Sequence, residues 1–139
     1  MTNLEESLRR ELLRTNRSGA YACSTVVDCN TRKYHGLLVV PVPELDDENH
    51  DLLSSLDATV IQHGAEFNLG LHKYQGNNYS PKGHKYIREF DCDKVPTTTY
   101  RVGGVVLKKE VVFQHYEDRI LLRYTLVDAH SATTLRFRP

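Results

Sequence analysis

The chain has 139 residues, of which 40% are hydrophobic and 26% are charged, a composition typical of globular proteins. Eighteen Lys and Arg balance eighteen Asp and Glu, so the formal net charge at pH 7 is zero. This balance excludes a global field that would attract nucleic acid or an acidic membrane. The length predicts a single domain over residues 1–139.

The cysteines and the amino-terminal residues indicate the cellular compartment. Cys23, Cys29 and Cys92 form no CxxC pair, and an odd number of cysteines cannot all be bridged. We therefore expect reduced thiols and a cytoplasmic protein. The first ten residues lack the apolar core of a signal peptide, and no stretch approaches the roughly 20 apolar residues that span a bilayer.

Residues 4–13 fit two structures. Leu4, Leu8 and Leu12 recur at helical spacing, and glutamates lie four residues before arginines, an order that favours a helix. The alternative is a frayed leader followed by a short strand over Glu11–Thr15. Both interpretations of the second half of this segment stay open.

The next segment predicts two strands joined by polar turns. Residues 16–19 combine Asn, Ser and Gly, which favour a turn, and small and β-branched residues follow over Tyr21–Val27. After a reversal at residues 28–30, a strand over Tyr34–Val42 carries the most apolar run of the chain, which predicts burial on both faces.

The middle of the chain alternates strands and loops. An acidic loop over residues 44–51 precedes a predicted strand over Leu52–Gln62 and a short strand over Glu66–Leu69. Residues 70–83 contain Gly, Asn, Ser and Pro without a period, which predicts a long loop. Residues 85–93 alternate as a strand does.

The carboxyl-terminal third predicts a hairpin. Strands over Thr97–Val102 and Val105–His115 flank Gly103-Gly104, a two-residue turn that supplies positive φ angles. Strands over residues 119–127 and 133–138 follow. Eight or more strands with at most one helix predict an all-β antiparallel sandwich. The last strand stops next to Pro139, so we expect a sequence cut from a longer protein and an open edge that could pair with a second copy.

The carboxylates predict no catalytic pair and no cation site. Asp91 and Asp93 lie two residues apart on one face of a strand, which is typical of a solvated face. Residues 46–48 are all acidic but lack the glycine and the alternating spacing of a calcium loop.

The histidines, cysteines and glycines are equally uninformative about chemistry. His63, His72 and His84 show no metal-ligand spacing, and Cys23 and Cys29 are expected to pack as small buried groups. The Gly-Gly pair is too short to hold a phosphate. We therefore expect no catalytic residue, no metal and no cofactor in this chain.

One polar and aromatic assembly remains as a candidate site. Sugar hydroxyls are recognised by planar amides and guanidinium groups, and aromatic rings pack against the apolar side of a sugar ring. An ordinary hydrogen-bonded loop network explains the same residue types. The candidate substrate-binding residues are Asn30, Arg32, Tyr34, His35, Tyr74, His84 and Tyr86.

The strongest motif is Asn-Thr-Arg-Lys-Tyr-His-Gly at residues 30–36. Together with residues 15–26, 81–90, 96–105 and 135–139, it resembles the amino-terminal domain of bacterial and archaeal glycogen debranching enzymes, the amylo-α-1,6-glucosidase family. Arg17 and Ala20 stand where that family often has glycine, and Thr98 stands where a large aromatic residue is expected.

The resemblance implies an antiparallel β-supersandwich of the galactose-mutarotase-like kind, which precedes an (α/α)6 barrel in glucoamylase-type enzymes. In that family the barrel holds the acids that cleave α-1,6 branches of glycogen. The resemblance therefore implies a non-catalytic accessory domain, incomplete at its carboxyl end. Its partners would be the barrel and α-glucan.

Three hypotheses follow. In the first, the accessory domain contacts glucan through the candidate residues. In the second, the motif holds a domain interface, and Arg32 and His35 are buried and hydrogen-bonded within the domain. In the third, the chain is a free-standing enzyme that releases glucose from branched dextrin.

Overall fold

A computed structural model describes residues 4–46, 48–76, 78–92 and 94–139. Within these ranges it contains thirteen β-strands, a six-residue α-helix and one short 3-10 helix. All the strand pairs described are antiparallel, which confirms the predicted all-β architecture. Asp47, Asn77 and Asp93 lie outside the described residues, so the predictions that involve them are left as they stand.

The helical interpretation of residues 4–13 is correct for the first half of the segment, and the strand interpretation is correct for the second half. Helix α1 spans Leu4–Arg9, and strand β1 spans Glu11–Thr15. Leu4 and Leu8 pack against a buried cluster, while β1 pairs with the next strand along the chain. The helical spacing of the leucines therefore predicted the helix correctly as far as Arg9, and pairing with β2 makes the residues from Glu11 onward a strand.

The first sheet has the order β1-β2-β3-β4, where β2 spans Tyr21–Thr25, β3 spans Gly36–Pro41 and β4 spans Asn49–Leu53. The prediction of one strand over Leu52–Gln62 was wrong. β4 pairs with β3 and starts inside the predicted acidic loop, and a separate strand begins at Asp57.

The middle of the chain forms two small hairpins. Strands β5 (Asp57–Gln62) and β6 (Ala65–Asn68) pair across a two-residue turn. The predicted loop over residues 70–83 was wrong in part, because it contains β7 (His72–Tyr74) and β8 (Asn78–Ser80), which pair with each other. The 3-10 helix Gly83–Tyr86 follows.

The last strands are β9 (Ile87–Asp91), β10 (Thr97–Val102), β11 (Val105–Phe113), β12 (Ile120–Asp128) and β13 (Thr134–Arg138). The predicted Gly-Gly hairpin is confirmed as β10–β11, with both turn glycines at positive φ. The second sheet has the order β12-β11-β10-β9, and the third has the order β13-β5-β6. Among the described residues β13 is bonded along one edge, and pairing of a second copy with the other edge stays a prediction.

The inner face of β11 holds the sheets together. Val105 and Leu107 are fully buried and pack with Val60 of the third sheet, whereas Phe113 packs with Val40 of the first sheet. The second sheet is therefore stacked against the first and the third sheets. Lys109 lies on the same face between these two apolar clusters, at the seam between the first and third sheets.

The Asn16 side chain fixes the turn between β1 and β2. Its Oδ1 accepts the backbone N–H groups of Ser18 and Ala20, and its Nδ2 donates to the carbonyl of Glu117 at 2.9 Å. Arg17 takes the left-handed conformation, with φ of 65°. The turn that the sequence predicted is thus anchored to the β11–β12 connection.

No helix among the described residues is long and apolar enough to cross a membrane. The same part of the chain contains no group of three or more His, Cys, Asp or Glu side chains placed to hold a metal ion. Its three cysteines are free, and Cys23 and Cys29 are buried as predicted.

Candidate functional site

Glu11, the first residue of β1, gathers three of the predicted site residues. Its carboxylate accepts hydrogen bonds from Arg32 Nε at 2.5 Å, from His35 Nε2 at 2.9 Å and from the Tyr34 hydroxyl at 3.2 Å. The pairing of β1 with β2 places Glu11 opposite Thr25, close to the turn that carries the motif. We call Glu11, Arg32, Tyr34 and His35 the Glu11 cluster.

His35 is the buried centre of the Glu11 cluster. Its side chain has no exposed surface, and its Nδ1 accepts the backbone N–H groups of Thr31 at 2.9 Å and Arg32 at 3.2 Å. Because Nδ1 is an acceptor, the proton of the neutral ring lies on Nε2, which donates to Glu11. Both ring nitrogens are therefore used inside the protein, and we infer that His35 positions the turn over residues 31–35.

The charges around Glu11 favour its ionised form. Desolvation raises the pKa of the Glu11 carboxyl, but the hydrogen bonds from Arg32 and His35 outweigh that effect, so its pKa lies below the usual value. The carboxylate is thus a fixed acceptor for the motif over the neutral pH range.

Arg32 and Tyr34 present outward faces. The Arg32 side chain is 58% exposed, and Tyr34 is 48% exposed. The Tyr34 ring meets the His35 ring edge-on, with centroids 5.2 Å apart, and the Tyr21 hydroxyl donates to the Tyr34 carbonyl at 3.0 Å. These contacts hold an accessible ring and an accessible guanidinium in fixed positions.

Asn30 lies apart from the Glu11 cluster. Its Oδ1 accepts from the Ser24 hydroxyl at 2.7 Å, and its Nδ2 donates to the Ser54 carbonyl at 2.8 Å. Asn30 thus ties the β2–β3 connection to the segment between β4 and β5. It also lines a cleft that the sequence did not predict.

The other three predicted site residues lie elsewhere. Tyr74 is exposed on β7. Tyr86 packs edge-on against Phe67, beside the apolar cluster that contains Val105 and Leu107. His84 is half-buried, and its Nδ1 has no partner among the described residues. Desolvation and the nearby Lys82 lower the pKa of His84. In the described part of the chain, no hydrogen bond or ring contact joins these residues to the Glu11 cluster.

The cleft opens between the first and third sheets and has the second sheet as its floor. The space inside it is about 30 Å³, which is room for a few water molecules, and the rest of the cleft is open to solvent. Asn30 and Ser54 lie on one wall, Asp57 lies on another, and Tyr100 and Tyr124 rise from the floor. We call this space the inter-sheet cleft.

An ion pair between a buried lysine and a partly exposed aspartate lines the inter-sheet cleft. The Lys109 ammonium, 6% exposed, is bonded to the Asp28 carboxylate. Burial lowers the pKa of Lys109, but the adjacent Asp28 carboxylate outweighs it, so the pKa is raised and the ammonium stays charged. Asp28 adopts φ of 57°, a left-handed conformation that Asp tolerates better than most residues. The turn from Thr25 to Cys29 holds it there, since the Thr25 side chain bonds to both backbone groups of Cys29.

The two tyrosines of the floor are neutral hydroxyl groups. Burial raises the pKa of Tyr100 and of Tyr124 above their usual values. Both lie near enough to Lys109 to affect its pKa. The opposite wall has its own pair, in which His72 Nε2 lies 2.7 Å from Asp57 Oδ2.

The family model for the N-terminal domain of glycogen debranching enzyme matches residues 10–139, which is nearly the whole chain. The chain belongs to this family. Comparison with curated proteins gave no match, and comparison with solved structures gave none. The resemblance read from the motif at residues 30–36 is therefore confirmed.

Of the three hypotheses for this debranching-enzyme N-terminal domain, the interface hypothesis predicted that Arg32 and His35 are buried. His35 is buried and bonded within the domain, as the interface hypothesis predicts. Arg32 is exposed, although its Nε is bonded to Glu11. The motif is thus part internal support and part accessible surface.

Sequence reasoning missed Glu11, Asp28, Lys109 and the two tyrosines of this N-terminal domain. A signal for Lys109 was present. Val105, Leu107 and Phe113 share its parity along β11, and a lysine in a buried row needs a carboxylate partner. No sequence signal identified that partner, because Asp28 lies 81 residues away.

Proposed function

We propose that residues 1–139 form a non-catalytic accessory domain of a glycogen-debranching glycoside hydrolase. It packs on the helical catalytic barrel of that protein and contacts α-glucan. The observation that carries the proposal is the family match, combined with the exposed and pre-positioned faces of Arg32 and Tyr34. Such an arrangement suits a ligand that offers hydroxyls beside an apolar ring face.

The contacts of the Glu11 cluster support this role. The bond from Arg32 to Glu11 uses Nε, which leaves the terminal guanidinium nitrogens for ligand hydroxyls. The Tyr34 ring is braced by His35 and its hydroxyl by Glu11, so binding would cost little side-chain entropy. His35 itself has a positioning role.

The remaining predicted residues extend the proposed contact. Asn30 reaches the inter-sheet cleft, and Tyr74 offers an exposed ring. His84 and Tyr86 are partly buried and lie apart from the Glu11 cluster, and we propose them as secondary contacts. We also propose a cytoplasmic location, which the free cysteines support.

A second candidate function is a structural module without sugar binding. The complete burial of His35 and its internal hydrogen bonds favour it. In that case the exposed faces of Arg32 and Tyr34 would meet the barrel.

Affinity electrophoresis in gels containing glycogen tests the first candidate. We expect glycogen to retard the wild-type chain, and we expect Arg32→Ala and Tyr34→Ala to reduce the retardation. Arg136→Ala is the matched control, because Arg136 is 56% exposed and is bonded to Glu66 within the third sheet, whereas the Glu11 cluster belongs to the first sheet. Circular dichroism checks that each variant is folded. A wild-type chain that glycogen does not retard, or equal retardation of all folded variants, would contradict contact through the Glu11 cluster.

A further inference from the structure

We propose that the inter-sheet cleft is a binding site for ordered water, in which a small cluster of water molecules completes the hydrogen bonds of Lys109, Tyr100 and Tyr124. The cluster would link the second sheet to the walls of the cleft, at the seam where the first, second and third sheets meet. The site is independent of the contact with glucan proposed above, because the Glu11 cluster takes no part in it.

The Lys109 ammonium needs more hydrogen-bond partners than the chain supplies. Its side chain is 6% exposed, and an ammonium carries three N–H donors. Among the described residues, the Asp28 carboxylate is the one group bonded to it. Unpaired donors on a buried charge destabilise a folded protein, so the remaining donors require acceptors inside the cleft.

The two tyrosines of the cleft floor have the same need. Tyr100 is 3% exposed, Tyr124 is partly buried, and both line the cleft. In the part of the chain that the structure describes, no protein group is hydrogen-bonded to either hydroxyl. Burial raises the pKa of both tyrosines, so each hydroxyl stays neutral and has one proton to donate and lone pairs to accept.

The walls of the cleft supply further polar groups. Asp57 Oδ2 lies 2.7 Å from His72 Nε2, whereas Asp57 Oδ1 has no hydrogen-bond partner among the described residues. The Asn30 amide uses one of its two N–H groups on the Ser54 carbonyl. Donors on the floor and an acceptor on the wall thus face one space. Water both donates and accepts, and a buried water generally has two to four polar partners, so it suits this lining.

The size and charge of the space also favour water. Its volume of about 30 Å³ exceeds the roughly 10–15 Å³ that one water molecule requires, and it is too small for a sugar ring. Cavities that stay dry are lined by apolar side chains, whereas an ammonium, two phenols and two carboxylates line this one. Because the carboxylates of Asp28 and Asp57 outnumber the ammonium of Lys109, an anion is disfavoured and an uncharged ligand is preferred.

A high-resolution crystal structure of the full chain tests the site directly. We expect water at hydrogen-bonding distance, about 2.7–3.2 Å, from Lys109 Nζ and from the Tyr100 hydroxyl. At least one water should contact both the floor and the Asp57 carboxylate.

The stability of Tyr100→Phe tests the site in solution. If water is bonded to the Tyr100 hydroxyl, its removal should lower the ratio of folded to unfolded chain by about 2- to 10-fold, the loss expected for one hydrogen bond. Urea denaturation measures this ratio. Tyr116→Phe is the matched control, since Tyr116 is 69% exposed and does not line the cleft, and it should be as stable as the wild type.

A double variant tests whether Lys109 and Tyr100 share the water cluster. The combined loss in Lys109→Met with Tyr100→Phe should be smaller than the sum of the two separate losses, because each substitution disrupts the same water molecules. Strictly additive losses would contradict a shared cluster.

The other outcomes are equally decisive. A crystal structure without water at these atoms, or with all three Lys109 donors bonded to protein groups, would overturn the site. A Tyr100→Phe variant as stable as the wild type, or more stable, would also overturn it, because removing a buried hydroxyl that has no partner costs nothing.

Discussion

The Glu11 cluster and the inter-sheet cleft use similar side chains in opposite ways. In the cluster, one carboxylate is shared by a guanidinium, an imidazole and a phenol, and the buried imidazole is fully bonded. In the cleft, the buried ammonium of Lys109 has one carboxylate partner, and Tyr100 and Tyr124 line the same space. A polar motif that is obvious in the sequence therefore contains both internal support and accessible surface, whereas the ion pair of the cleft joins residues from distant positions in the chain.

The largest effect should come from breaking the cluster at its buried centre. His35→Ala removes a fully buried ring and leaves two backbone N–H groups without their acceptor. We expect a loss of about 3 kcal/mol in the free energy of unfolding. Urea denaturation measures it. His50→Ala is the control, because His50 is also paired to a carboxylate but is partly exposed. A loss no larger than that of the control would show that His35 is not a structural centre.

An intermediate effect should distinguish charge from packing in the cleft. Lys109→Ala removes a buried aliphatic stem and should cost about 2 kcal/mol. Lys109→Met keeps the stem but leaves the Asp28 carboxylate without its cation. Because the Asp28 side chain is 43% exposed, water can solvate that carboxylate, so we expect a loss of about 1 kcal/mol, smaller than that of Lys109→Ala. If Lys109→Met were as destabilising as Lys109→Ala, the ion pair itself would be a structural element like the cluster. Thermal denaturation of both variants decides this.

The smallest effect concerns the pH dependence of the cluster. The pKa of Glu11 is lowered in the folded chain from its usual value of 4.5, so the carboxylate contributes stability above that pH. The contribution is lost as the pH falls through the lower folded-state pKa. Glu11→Gln should therefore reduce the melting temperature at pH 7, and the difference from the wild type should shrink as the pH falls below 4.5. A difference that stays constant between pH 7 and pH 3 would contradict a role for the ionised carboxyl.

Much of the fold could be predicted because local signals agreed with it. The Gly103-Gly104 turn and the alternation along β11 specify a hairpin, and the structure has it. The boundaries failed where the local signal was weak. Residues 49–53 are mostly polar, and they form a strand because β3 offers them a hydrogen-bonding edge. The strands β7 and β8 are three residues each and carry no period that could be read.

The candidate site was predictable only within the motif itself. Arg32, Tyr34 and His35 are neighbours in sequence, so their shared turn could be expected. Their common partner Glu11 lies 21 residues from Arg32, and sheet pairing decides that distance in space.

The sequence by itself determined the strand-rich composition, the main hairpin and the family, because periodicity, turn residues and motifs are local properties of the chain. Tertiary structure alone decided that His35 faces inward while Tyr34 faces outward, and that Lys109 meets Asp28 across the seam of the sheets. Burial and charge pairing between remote segments depend on how the sheets stack, and no local pattern encodes that contact. Hydrogen bonds to Glu11 hold the polar residues at 30–36 in place, and the cleft near them was not predicted from the sequence.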